Sequence, residues 1–231
     1  MVNVSDSTTT AIARTVGVVE SPMTLNVPSS DFPTIQSAMD WIEARILLAT
    51  VTIQIADGTY NLTSRLSFNH PNYMLVSIDG NQENPSNVVL NFSGDSNPLF
   101  YIRNCGLRLI RGIKIAGGSK YGISAQLGGV INSVSDVILD GQTQAAIYST
   151  MTSSIFAYDI SITNAEYGVW CFRNSYIGFL NLECTNCNVG VLANKNSIVS
   201  IQGTRTFSGN NTDYNPTLNS GVNSDGSQIS T

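Results

Sequence analysis

The sequence predicts an all-β fold: a single-stranded parallel β-helix of about seven coils, closed at its N-terminal end by one α-helix. Gly112, Asp136, Asp159, Asn181 and Gly203 form a ladder at intervals of 24, 23, 22 and 22 residues. Gly, Asp and Asn most readily take up positive φ, so this ladder marks one sharp backbone corner per coil. A second ladder, Gly122, Ala146, Gly168 and Gly190, keeps the same spacing. Between the two, short apolar strands recur: Ile155/Ala157 against Ile177/Phe179, and Ile160/Ile162 against Leu182/Cys184. A strand-only unit repeated every 20 to 50 residues is the pattern of a β-solenoid.

The elements follow in chain order. Residues 1–30 alternate weakly and contain Pro22 and Pro28, which reads as an extended arm leaning on a partner or on the base of an assembly. Residues 31–50 hold the one helix, begun by Pro33 or Thr34, with Ile35, Ala38, Met39, Ile42, Ile46 and Leu47 on one face. An amphipathic helix there is a plug for the open strand edge of the first coil. Residues 51–208 are the β-helix. Val51–Ile55 is a strand, Asp57-Gly58 a turn, and the regular rungs run from Val130 to Thr206. At ~4.8 Å per stacked strand, seven coils rise roughly 30–35 Å. Residues 209–231 turn polar and Asn-rich, which reads as a tail unable to bury a core of its own.

Composition excludes several classes. Only 12% of residues are charged and the net charge is −5, with the eleven basic residues scattered. A phosphate-backbone binder needs them clustered, so no nucleic acid partner is expected. Residues 1–15 lack the apolar core of a secretory signal, and no run of about 18 apolar residues exists for membrane insertion. Cys184-x-x-Cys187 resembles half a zinc site, with no second pair or nearby His to complete it. Buried reduced thiols are the expectation, and no metal or cofactor.

Two segments carry a family resemblance. Phe32-Pro-Thr-Ile-Gln-Ser-Ala-Met39, followed by Val51-Thr-Ile-Gln-Ile-Ala-Asp-Gly-Thr-Tyr60, resembles the start of pectate-lyase-like right-handed β-helices. There a short helix caps the barrel and a Gly-Thr-Tyr-type turn opens the first coil. Phe207-Ser-Gly-Asn-Asn-Thr-Asp-Tyr-Asn-Pro216, with the later Gly226-Ser-Gln-Ile229, is similar to the end of such domains in bacteriophage tail-fibre and tailspike proteins. The resemblance covers roughly residues 30–231. It implies a right-handed coil and a homotrimer assembled in the bacterial host cytoplasm into a virion. It also implies attachment to other virion proteins, here given to residues 1–30, and contact with host surface polysaccharide. A tailspike-type polysaccharide depolymerase and a capsid-surface decoration protein are the alternative readings.

Polysaccharide-cleaving enzymes of this type use paired acids, about 5–5.5 Å apart when retaining and about 6.5–9.5 Å when inverting. Asp136 and Asp159, one rung apart, could approach within about 5–7 Å. Yet Gly112, Asn181 and Gly203 occupy the same corner without acid chemistry, so both aspartates read as corner residues and no catalytic residue is assigned. Asp140, Glu166 and Glu183 have no evident partner, and His70 is the only histidine. The Asn-Thr-Asp, Asp-Asp and Gly-His-Gly set of polygalacturonase-like enzymes is absent, with Asn211-Thr-Asp213 standing alone. The chain reads as a module without its own catalysis.

Strand parity directs attention to the outside of the coil. With Ile123, Ile147, Val169 and Val191 inward, Ser124, Tyr148, Trp170 and Leu192 point outward in one column, and Phe172 faces out beside them. That column reads first as a subunit interface and second as a sugar platform. On another face Phe156 and Tyr158, near Gly178 and Leu180, form a candidate glycan groove, joined by Asn174 and Asn196 in a corner.

Overall fold

The computed structural model describes residues 17–68, 71–94, 97–224 and 227–230. Residues 1–16 of the expected arm, and His70, lie outside the described residues. The chain is a parallel β-helix of about seven coils with one α-helix at its start. A major sheet stacks Met23–Val27, Val51–Ile55, Val76–Asp79, Leu109–Ala116, Val130–Asp140, Ser154–Thr163, Tyr176–Thr185, Ile198–Ser208 and Gly221–Ser224. A minor sheet of seven strands runs from Leu66–Phe68 to Thr212–Thr217. Register is kept rung after rung, as in Tyr148↔Trp170↔Leu192 and Ile155↔Ile177↔Val199.

Corners explain the shape of each coil. All five residues of the first ladder have positive φ, from 52° at Asp159 to 73° at Gly203. Each bends its strand of the major sheet into two legs. Two further ladders complete a three-sided coil: Gly117, Gly141, Asn164, Asn186 and Gly209, and the pairs from Leu127-Gly128 to Leu218-Asn219, all with positive φ. After the paired corner, buried serines stack. The Ser153, Ser175 and Ser197 amides donate to the hydroxyls of Ser175, Ser197 and Ser220 at 3.3, 3.4 and 3.2 Å. These bonds satisfy backbone donors that the sheets cannot reach.

The second ladder has a different cause from the first. A β-carbon at Gly122 would lie 2.5 Å from Leu139 Cδ2, and one at Gly168 2.3 Å from Cys184 Sγ. These positions face inward and stay small because two legs meet there. Inward columns such as Ile123, Ile147, Val169 and Val191 are fully buried, and together they form one continuous core. Each such side chain contributes about 1.5–3 kcal/mol by leaving water.

Three boundaries differ from the sequence reading. The helix spans Ile35–Glu43, opened by a Thr34/Ser37 capping box. It buries Ile35, Ala38, Met39 and Ile42 against the first strands. It stops early because Arg45–Leu47 pairs with Gly17–Val19 as a parallel strand, leaving Leu47 buried and Ile46 exposed. The described part of the 1–30 segment is no free arm: Met23–Val27 pairs with Val51–Ile55 and buries Leu25 and Val27 in the core. The 209–231 segment likewise continues the coil. Thr212–Thr217 joins the minor sheet and Gly221–Ser224 the major one, with Pro216 and Val222 buried. Its asparagines read as disorder in sequence, but Asn211, Asn215 and Asn219 take exposed positions on the coil and Asn210 bonds the backbone of the rung before it. Asn211 donates to Asn188 at 2.8 Å, and Asn188 to Glu166 at 2.7 Å.

Candidate functional site

The open surface lies on the major sheet, across the Asp159–Asn181–Gly203 corner. On one leg, Ser154–Thr163, Tyr176–Thr185 and Ile198–Ser208 turn Phe156, Tyr158, Tyr176 and Leu180 outward. Phe156 is 40% exposed, Tyr158 39% and Leu180 43%. Gly178 stands directly above Phe156 in register and leaves a hollow, over which the Tyr176 ring leans, its centroid 5.5 Å from that of Phe156. The hollow has a volume of about 200 Å³ and reaches Ser200 and Gln202.

Beyond the corner lies a second cleft of about 260 Å³, lined by Asp159, Ser161, Asn181, Glu183, Thr204 and Thr206 over Ile160 and Leu182. Register slips between Leu180 and Leu182, where the next strand carries an extra residue, so that Leu180 pairs Gln202 and Leu182 pairs Arg205. Such a bulge locally bends the strand and opens its edge. Tyr158 precedes Asp159 and Leu180 precedes Asn181, so hollow and cleft adjoin at one corner, the aromatic and the polar half of a single grooved surface. No Lys or Arg is among its described lining residues, and Arg205 stands between lining Thr204 and Thr206, in register with Leu182.

Each acid in the groove accepts a structural hydrogen bond through one of its oxygens. Asn181 Nδ2 donates to Asp159 Oδ1 at 2.7 Å, and Asn181 Oδ1 accepts from the Thr204 amide at 2.8 Å. Ser161 Oγ donates to Glu183 at 3.3 Å. The cleft takes in Asp159 and Glu183 but not Asp136, and both lining acids are exposed. A general acid must be held protonated by burial or by a close like charge. Neither carboxylate is buried.

The minor sheet presents the other aromatic face. Tyr121, Ala145 and Tyr148 form an apolar cluster separate from the main core, with Tyr167, Trp170 and Phe172 packed on it. Tyr121 stacks on Tyr148, rings 8° from parallel and centroids 4.3 Å apart. Trp170 continues the stack at 5.1 Å from Tyr148 and 5.8 Å from Phe172. Arg173 and Lys195 sit over Phe172 at 4.9 and 5.1 Å, and Lys120 over Tyr121 at 5.5 Å. Tyr148 and Leu192 are buried within the chain, while Trp170 and Phe172 are half-buried. Burial raises the phenols of Tyr121 and Tyr148 above their usual range. This column points outward, as expected, but its own neighbours cover most of it.

Asn174 and Asn196 sit at the paired corner with φ of 57° and 59°, exposed and outside the groove. What sequence reasoning missed is the polar half: Ser161, Glu183, Thr204 and Thr206. Ser161, Glu183 and Thr206 do share one column, at intervals of 22 and 23 residues, but nothing in their types marks them as a site. A third cleft of about 420 Å³ holds Asp57, Asp79, Asn81 and Arg111. Its groups are spent on one another: Arg111 pairs with buried Asp79, and Asn81 and Asn87 donate to Asp57. Among the described residues, no three His, Cys, Asp or Glu side chains converge to hold a metal ion. Comparison with protein-family models, curated proteins and solved structures finds no match to this chain.

Proposed function

We propose that this chain is a non-catalytic, glycan-contacting module of a phage virion fibre or spike, acting as a homotrimer on the host surface. The virion setting, the trimer and attachment to other virion proteins rest on the resemblance of residues 32–60 and 207–229 to tail-fibre and tailspike β-helices. The glycan contact rests on one observation: the groove joins exposed aromatic faces at Phe156 and Tyr158 to hydrogen-bonding groups at Asp159, Asn181, Glu183 and Thr204. Pyranose rings need both, a flat apolar face for their C–H groups and acceptors for their hydroxyls. Two carboxylates without a lining cation favour a neutral polysaccharide over an acidic one.

The second reading, a glycoside hydrolase, draws on Asp159 and Glu183 lining one cleft. One experiment separates the two. The chain is incubated with a panel of neutral and acidic capsular and O-antigen polysaccharides, and retention and new reducing ends are both measured. Retention of a neutral polymer without cleavage is expected. Reducing ends that disappear in Asp159→Asn would establish the enzyme instead, and retention of acidic polymers alone would move the site off this groove.

A further inference from the structure

The second corner of the coil carries chemistry that surface recognition does not use. In each regular coil, the last inward residue of the major-sheet strand meets the residue three positions on, just past the corner. Ile162 and Ala165 fill these places in one coil, and Phe207 and Asn210 in another. Between them the pair is Cys184 and Cys187, both buried, with Sγ atoms 3.6 Å apart. Asn186, at φ 54°, makes the bend that brings them together. Asn210 of the next rung clamps the bend: its Oδ1 accepts from the Cys187 amide at 2.8 Å, and its Nδ2 donates to the Cys184 carbonyl at 2.9 Å. Asn210 therefore holds the bend that keeps the two sulfurs 3.6 Å apart, the gap that must close to the ~2.05 Å of a disulfide.

We propose that Cys184 and Cys187 form a redox pair that closes into a disulfide when a hydroperoxide reaches Cys187. The Cys187 thiolate attacks one peroxide oxygen, the O–O bond breaks, and the departing hydroxide is protonated to water. Cys184 then attacks the sulfur of the resulting sulfenic acid, the S–O bond breaks, and a second water leaves with the Cys184 proton. Two thiols and one hydrogen peroxide give one disulfide and two waters. The order follows from access and contact: Cys187 is the more exposed of the two, at 3% against 0% for Cys184, and a hydrogen bond from the Cys184 thiol holds Cys187 below the usual thiol range. Cys105 and Cys171 have no thiol neighbour among the described residues, and burial raises both. Peroxide is hardly larger than water, which suits a thiol that is 3% exposed.

The test uses the full chain, treated with hydrogen peroxide, quenched, unfolded in iodoacetamide and mapped by mass spectrometry. The peptide holding Cys184 and Cys187 is expected to lose both alkylation sites and two hydrogen atoms, while Cys105 and Cys171 alkylate in full. In Cys184→Ser, a dimedone probe is expected to trap a sulfenic acid at Cys187, and in Cys187→Ser to trap none at Cys184. Full alkylation of both residues after peroxide, or linkage of either to Cys105 or Cys171, would overturn the proposal. The wild-type map decides the matter alone if either variant fails to fold.

Discussion

Tyr121, Tyr148, Trp170 and Phe172 on the minor sheet, and Phe156, Tyr158 and Tyr176 on the major sheet, are aromatic residues facing outward from one solenoid at one repeat length. On the minor sheet each ring finds another ring of the same chain, centroids 4.3–5.8 Å apart. On the major sheet the residues above Phe156 and Tyr158 are Gly178 and Leu180, so no ring continues either column; Phe156 meets the neighbouring Tyr176 ring at 5.5 Å, yet Phe156 and Tyr158 keep about two-fifths of their surface. Parallel stacking thus disposes of exposed aromatics only where successive rungs supply them. A single glycine in the column converts a self-satisfied face into a recess.

The contrast can be strained most by paired glycines. Gly168 faces inward beneath the minor-sheet stack, and an added β-carbon would meet Cys184 Sγ at 2.3 Å and the Gly190 carbonyl oxygen at 2.6 Å. Gly168→Val is expected to cost more than about 3 kcal/mol, or to abolish folding. Gly178 faces outward, and the nearest atoms to its added β-carbon would be those of the Tyr176 ring, from 2.9 Å. Gly178→Val should cost under about 1 kcal/mol, because that ring can swing away. Urea unfolding of the two variants checks the difference.

Trp170→Ala comes next. Removing the middle of a stack that the chain builds for itself is expected to cost about 2–3 kcal/mol and lower Tm by roughly 5–10 °C. Trp170→Phe should cost far less, since it keeps a ring and removes an indole Nε1 that is buried without a hydrogen-bond partner. Equal losses in the two variants would mean that the stack is not what holds this face.

The smallest effect lies in acid titration of the major sheet. Asp140 accepts from Asn164 Nδ2 at 2.9 Å, with Lys114 and Thr163 also contributing, and these partners hold its carboxyl below the usual range. A depressed folded value gives stability that is present above the unfolded value of about 3.9 and is lost as pH falls through the folded one. Because the Asp140 side chain is about one-third exposed and screened by solvent, the contribution is a fraction of about 1 kcal/mol. Asp140→Asn should flatten the acid limb of a stability–pH curve slightly and leave neutral pH almost unchanged.

How much of this was legible in sequence depended on what each position demands. Positive φ is demanding, so Gly112, Asp136, Asp159, Asn181 and Gly203 announced a corner from residue type alone. The paired corner was harder, because Leu127, Met151, Arg173 and Lys195 adopt positive φ there although their types do not favour it. The Ser153–Ser175–Ser197–Ser220 stack was present at the same period but looked like ordinary loop polarity. The termini misled for a related reason: stacked outward asparagines are chemically the same as those of a disordered tail. Parity correctly turned Tyr148 and Trp170 outward. It could not show that Tyr121 stacks on Tyr148 and helps to cover it, because that contact depends on rotamers rather than on spacing.

The central claim is that the open face on the major sheet, and not the larger aromatic array on the minor sheet, is where this chain meets a polysaccharide. Retention of a bound neutral polysaccharide by wild type, Tyr158→Ala and Trp170→Phe, with Tm measured in parallel, tests it most directly. The account predicts about a tenfold loss of affinity for Tyr158→Ala at unchanged Tm, equivalent to loss of a stacking platform of about 1.4 kcal/mol, and wild-type affinity for Trp170→Phe. Wild-type affinity in Tyr158→Ala, with loss in a fully folded Trp170→Phe, would contradict it.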